Sequence, residues 1–257
     1  MLEETAGDAT PLERELAVLA RASCREARRL SPAHLEPLRR LAGDGALEYA
    51  LVVGQFHYMT RIADLLGVEP ELPAPVRRFG WLRRLGIKAF GAAVSRWDLA
   101  GRDYRGTADD AVAALRSPYQ ALTGRALGGE LAPVAPRPAI VEYLRLGIED
   151  LVARSSLDRA TVARVSALVE QALPDGEQDV QGIHPRPQDP VEAFAFVGTR
   201  YAYRTTAKMV DALRGRGLDD RGILDLAVAV ATANQWARLG RLVGAEILPA
   251  TATAPSS

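Results

Sequence analysis

Apolar residues recur along most of this chain every three or four positions, the spacing that lines up one face of an α-helix. Period-2 runs rich in Val, Ile and Thr, the mark of a half-buried strand, are absent. Ala and Leu, both good helix formers, fill most apolar positions instead. Helix-start signals punctuate the pattern: Thr10-Pro11 with Glu13, Ser31-Pro32, Thr107 with Asp110, Ser117-Pro118 with Gln120, Ser155 with Asp158, and Asp189-Pro190. Each sets a capping oxygen before a proline or an acidic or amide side chain in the first turn, where free backbone N–H groups need partners. The pattern predicts helices over residues 11–30, 32–41, 46–66, 75–97, 109–116, 118–126, 138–153, 157–172, 190–203, 207–214 and 220–243, an all-α fold. Residues 174–189, with Gly, Gln, Asp and three prolines, read as a linker; 72–75 and 128–138 read as weaker breaks. Residues 1–10 and 248–257 are expected to lack fixed structure.

The helical pattern also repeats. Setting residues 51–69 against 228–246 pairs Arg61 with Arg238, Leu65 with Leu242, Gly67 with Gly244 and Glu69 with Glu246, and puts His57 opposite Asn234. Upstream, 31–39 faces 206–214 once a two-residue gap is allowed, and 16–30 faces 191–205. A unit of long helix, short helix, long helix thus falls at 11–70 and again at 189–247, with 71–188 as a connecting helical region. Two copies are too few for a solenoid, so they are expected to pack together as a pseudo-twofold pair.

Composition narrows the function classes. With 48% apolar and 25% charged residues the chain can bury a proper core, and 32 basic against 32 acidic residues leave no chain-wide field to attract nucleic acid. The longest uncharged apolar stretches, 49–60 and 226–236, fall short of the roughly 20 residues that span a bilayer and read as buried core helices. Met1 to Pro11 has neither the basic start nor the apolar run of a signal peptide, and Cys24 is the only cysteine, which excludes an intrachain disulfide and a thiolate zinc cage. A cytoplasmic setting fits.

Three stretches of the repeat resemble a known family. Leu35-Glu-Pro-Leu-Arg39, then Phe56-His-Tyr-Met-Thr-Arg61-Ile-Ala-Asp64-Leu-Leu-Gly67, and more weakly Val210-Asp-Ala-Leu-Arg214 with Asn234-Gln-Trp-Ala-Arg238, are similar to the helical core of the alkylhydroperoxidase D / carboxymuconolactone decarboxylase superfamily. The similarity covers both ends of the chain, somewhat under half of it; residues 71–188 match nothing of the kind. The resemblance implies a helical unit that commonly associates, and hence a homo-oligomer, although a fused pair can satisfy that need within one chain. The family's peroxidases use a Glu followed by Cys-x-x-Cys-x-x-x-His. That motif would fall on Ala202, Thr205 and Met209, none of which can do its chemistry, so dithiol peroxidase activity is not expected.

Candidate chemistry concentrates on the helix over 46–66, whose polar side chains form two groups at about 100° per residue. His57, Thr60, Arg61 and Asp64 make one stripe. Glu48 and Gln55 stand opposite, among Val52, Met59, Ile62 and Leu66, and Asp225 and Thr232 hold their places in the second copy. A buried Glu48 would have a raised pKa and serve as general acid or base; the helix dipole alone also favours a carboxylate there. His57 as acid/base and Arg61 as a clamp could hold an anionic substrate, with Gln55, Tyr58, Asn234 and Arg238 around them. The plainer alternative makes His57 an interface residue and gives Arg61 to Asp64 or a helix end. Tyr201 and Tyr203, flanked by Arg200 and Arg204, could line a pocket or simply pack. The basic, aromatic-rich helix over 75–97 is expected to cover the repeat pair with its arginines in water. His184 is isolated, so no metal site is expected, and no cofactor.

Two functions follow as expectations: a cofactor-independent acid/base enzyme, decarboxylase- or isomerase-like, on a small anionic or carbonyl metabolite, or a non-catalytic binding or assembly protein that keeps the helical fold.

Overall fold

The computed structural model describes residues 9–67, 126–127, 154–176, 185–243 and 247–248. The helices expected over 75–97, 109–116 and 138–153, the breaks at 72–75 and 128–138, His184 and the tail from 249 lie outside them. The fold is all-α. Among the described residues the single extended pairing is antiparallel, two residues of β1, Ala126–Leu127, against β2, Ile247–Leu248. Ala126 is therefore not the end of a helix over 118–126: a ladder to a strand more than a hundred residues away has overridden its local helical pattern.

The first segment begins with α1, Pro11–Arg25, closed by the full capping box of Thr10 and Glu13. The helix expected to run to residue 30 stops at Glu26 (φ −129°, ψ 34°) and gives way to a 3-10 turn over Ala27–Arg29. A second 3-10 turn, Pro32–His34, precedes α2, Glu36–Ala42. Pro37 has no N–H to donate, which is why the helix expected over 32–41 is divided here. Gly43 (φ 57°) turns the chain, and α3, Ala46–Leu65, follows.

Further along come α4, Arg159–Ala172, and α5, Pro190–Arg200, then a 3-10 turn over Ala202–Arg204, α6, Ala207–Gly215, and α7, Asp220–Val243. The N-cap of α4 is Asp158, accepting from the Thr161 amide at 2.7 Å, and not Ser155 as the sequence suggests. Asp189 caps α5. Residues 26 and 201, 30 and 205, and 31 and 206 have similar backbone angles: Tyr201 sits at φ −145°, ψ 50°, Leu30 and Thr205 at ψ 142° and 135°, Ser31 and Thr206 at ψ 167° and 156°.

The core is built around α7, every residue of which from 229 to 240 is buried. A helix with no wet face belongs at the centre of a protein. Among the described elements its most extensive contact is with α3, and α4 and α5 also pack against it. Gly54 lies in this contact, where a β-carbon would stand 3.4 Å from Gln235 Cγ, an ordinary packing distance. Both ends of the chain also grip the C-terminus of α4, whose last carbonyls lack helical partners. Arg28 donates through Nη2 to the Gln171 carbonyl and through its backbone N–H to Pro174 at 3.0 Å, and Arg200 Nε donates to Ala172 at 2.8 Å.

Candidate functional site

The stretch 49–60 is not the fully buried helix its composition suggests. Val52, Phe56 and Met59 are exposed, whereas His57, on the polar stripe, is 5% exposed. His57 faces inward and Arg61 is half-buried because α1 and α5 present hydrogen-bond partners to them, and a satisfied polar group can be buried at little cost.

Those partners form two matching arrangements. In the first, Arg61 Nη1 donates to His57 Nδ1 at 2.8 Å and to the His57 carbonyl at 3.3 Å, and His57 Nε2 lies 2.9 Å from Ser23 Oγ. In the second, Arg238 Nη1 donates to Asn234 Oδ1 at 2.8 Å and to the Asn234 carbonyl at 3.0 Å, and Asn234 Nδ2 donates to Thr199 Oγ1 at 3.1 Å. Ser23 and Thr199 each return a hydroxyl proton to their own helix, at Ala20 and Ala195. The arrangements are then crossed. Arg61 Nη2 donates to the Thr199 carbonyl at 3.1 Å, and Arg238 Nε donates to the Ser23 carbonyl at 2.9 Å.

Donor logic fixes the proton on His57. A guanidinium can only donate, so Nδ1 is an acceptor and the ring proton sits on Nε2, pointing at Ser23. Burial, with Arg238 and Arg61 adding repulsion, holds the His57 pKa well below 6.5. Serine beside histidine is the pairing of a nucleophile with its base, but this arrangement inverts that design. The imidazole face toward the hydroxyl carries a proton, and the third member is a cation where a hydrolase places a carboxylate.

Both arginines are also strained electrostatically. Arg238 is 1% exposed, and burial, with Arg61 adding repulsion, pushes its pKa well below the usual range. Burial lowers the Arg61 pKa to about 10. Arg61 is not ion-paired with Asp64, whose own pKa is raised by burial and only partly restrained by Arg61. Among the described residues no carboxylate contacts either guanidinium, and Arg61 Nε and Arg238 Nη2 are buried N–H groups with no acceptor.

Of the residues singled out in the sequence, His57, Arg61, Asn234 and Arg238 come together in this seam. Gln55 stands beside it, its Oε1 accepting from Gln235 Nε2 at 3.2 Å, and Tyr58 is half-buried on the same helix. Glu48 does not join them. It is exposed, nine residues before His57 and so about 13 Å away along the helix, and the burial that would make it a general acid is not met. Tyr201 is buried, edge-on to Phe196 with ring centres 6.3 Å apart and under Arg204. A surface depression of about 480 Å³ bounded by Arg28, Glu170, Gln171 and Arg241 holds none of Glu48, Gln55, His57 and Arg61. No His, Cys, Asp and Glu group among the described residues can hold a metal, and no helix there is long and apolar enough to cross a membrane.

Ser23 and Thr199 are the members that sequence reasoning missed. Their signal was a lone hydroxyl near the end of α1 and of α5, one place apart when the chain is aligned with itself. Compared with known protein families, characterised proteins and solved structures, the chain matches none.

Proposed function

We propose that this chain is a diverged, two-copy relative of the alkylhydroperoxidase D superfamily that has no dithiol chemistry and acts as a ligand-binding helical protein, not as an acid/base enzyme. One observation carries the choice between the two: His57 is held neutral between a cationic donor and a hydroxyl, with Arg61 and Arg238 both opposing its protonation. An acid/base cycle needs that nitrogen to gain and lose a proton near neutral pH. The two-copy reading is supported by the matched backbone angles after α1 and α5 and by the crossed arginines, the pattern expected of a self-complementary interface within one chain. Loss of dithiol chemistry is supported by the single cysteine, Cys24.

The test is the imidazole itself. Nitrogen-15 shifts of His57 in the intact protein are expected to report a neutral ring protonated on Nε2 at about pH 6.5, where an unperturbed imidazole is half protonated. A titration midpoint at about pH 6 to 8, or a proton on Nδ1, would overturn the binding reading and restore His57 as an acid/base candidate.

A further inference from the structure

Helices α3 and α7 align in sequence but differ in what covers them. On α7, Asp225, Ala229, Ala233, Trp236 and Gly240 fall on one stripe, and α4 lies along that side. Ser156, just ahead of α4, donates to the Asp225 carboxylate through its amide at 2.6 Å and its hydroxyl at 2.7 Å, and Glu170, near the far end of α4, accepts from Arg241 at 2.6 Å. Ala229, Ala233, Trp236 and Gly240 are buried. The aligned stripe of α3 is Glu48, Val52, Phe56, Met59 and Ala63, continued by Leu66 at the helix end. Here Glu48, Val52, Met59 and Leu66 are exposed, and Phe56 is 68% exposed. A contiguous apolar stripe of this kind marks an interaction surface.

We propose that the outer face of α3 is a dimerisation surface, occupied by the same face of a second copy of this chain running antiparallel to it. Its apolar side chains stand at 52, 56, 59, 63 and 66, the alternating four-and-three spacing by which two helices interlock. A twofold axis at Met59 sets Val52 against Leu66 and Phe56 against Ala63, a large side chain against a small one, while Met59 meets its own copy. Between Glu48 and Asp64 the helix carries one formal charge, Arg61, and that side chain is turned to the Thr199 carbonyl, so no like charges meet across the axis. The stripe is about 20 Å long and offers fewer side chains than the roughly 20–30 a side of a standard interface, which sets a micromolar affinity. The proposal is independent of the ligand-binding reading.

Sedimentation equilibrium of the full-length protein is expected to show reversible monomer–dimer exchange with a Kd of about 10–100 µM. Phe56→Glu puts a charge into the interface and is expected to weaken it at least tenfold. At about 1 µM, where the wild type is monomeric by that Kd, the same variant is expected to keep the wild-type melting temperature. The arrangement is read in a Cys24→Ser background, since Cys24 is the only cysteine. A short bismaleimide is expected to join Met59→Cys to itself but not Val52→Cys, whose two copies stand about 20 Å apart, and to join Val52→Cys to Leu66→Cys when the two are mixed. A monomer throughout that concentration range and tenfold beyond it, a dimer that Phe56→Glu leaves intact, or Val52→Cys joining itself as fast as Met59→Cys would each overturn the proposal. So would a lower melting temperature for dilute Phe56→Glu, the sign that another part of the same chain covers the stripe.

Discussion

Arg61 donates to the backbone carbonyl of Thr199, 138 positions further along the chain, and the bond is answered in the opposite sense by Arg238 on Ser23. Each arginine anchors on the residue four places before it in its own helix and reaches the first helix of the other segment. The seam is therefore tied twice, by donors from opposite ends of the sequence.

Cutting one tie is expected to weaken the other. Arg238→Ala leaves Asn234 Oδ1 and the Ser23 carbonyl buried without a donor, a loss of about 2–4 kcal/mol by urea unfolding. The double variant with Arg61→Ala is expected to lose less than the sum of the singles, by at least about 0.5 kcal/mol. Strict additivity would mean that the two networks are independent.

The neutral His57 sets a pH dependence with a definite sign. Its folded pKa lies well below 6.5, so as pH falls through about 6.5 the unfolded chain takes up a proton that the folded chain refuses. Stability is fully present above that pH and falls below it, by up to about 1.4 kcal/mol per pH unit, until the folded pKa is reached. His57→Asn, which copies the second arrangement, is expected to fold and to lose this slope. Unfolding curves of the two proteins across about pH 5 to 8 make the comparison.

Gly198 is where α5 meets α3 and α7. A β-carbon there would stand 2.9 Å from both Leu65 Cδ2 and Val230 Cγ1, and both neighbours are fully packed. Gly198→Ala is expected to cost about 1–3 kcal/mol. Gly215, at the end of α6, has open space around it, and Gly215→Ala is expected to be neutral or stabilising by up to about 1 kcal/mol. Equal denaturation midpoints for the two would refute the close approach.

The start of α4 separates two candidate caps. Asp158 accepts from the Thr161 amide at 2.7 Å and from its hydroxyl at 2.9 Å, whereas Ser155 accepts from the Leu157 amide, outside the helix, at 3.1 Å. Asp158→Ala is expected to cost about 1 kcal/mol and Ser155→Ala clearly less, measured by thermal unfolding.

The helices of the described residues were legible because capping and periodicity are local signals: Thr10 with Glu13 starts α1, Asp189-Pro190 starts α5, and α7 runs over the predicted 220–243. Where the sequence misleads, the cause is a distant partner. The apolar run 49–60 carries no information about which face turns inward, because nearly every position suits a core. What decides it is the pair of acceptors, the Ser23 hydroxyl and the Thr199 carbonyl, that other helices bring to His57 and Arg61. Arg61 with Arg238, and His57 with Asn234, were found by aligning the chain with itself. Ser23 and Thr199 were not, since they stand one register apart. Glu48 was singled out from helical phase alone, and phase does not say which side is wet.

Helix α7 is surrounded along residues 229–240, yet it is synthesised after every helix that encloses it. On the ribosome, α1 and α3 must therefore wait, with the inner face of α3 uncovered, for a partner roughly 170 residues behind them. The seam therefore cannot close until α7 has emerged, and until then the inner face of α3 is open to non-native contacts.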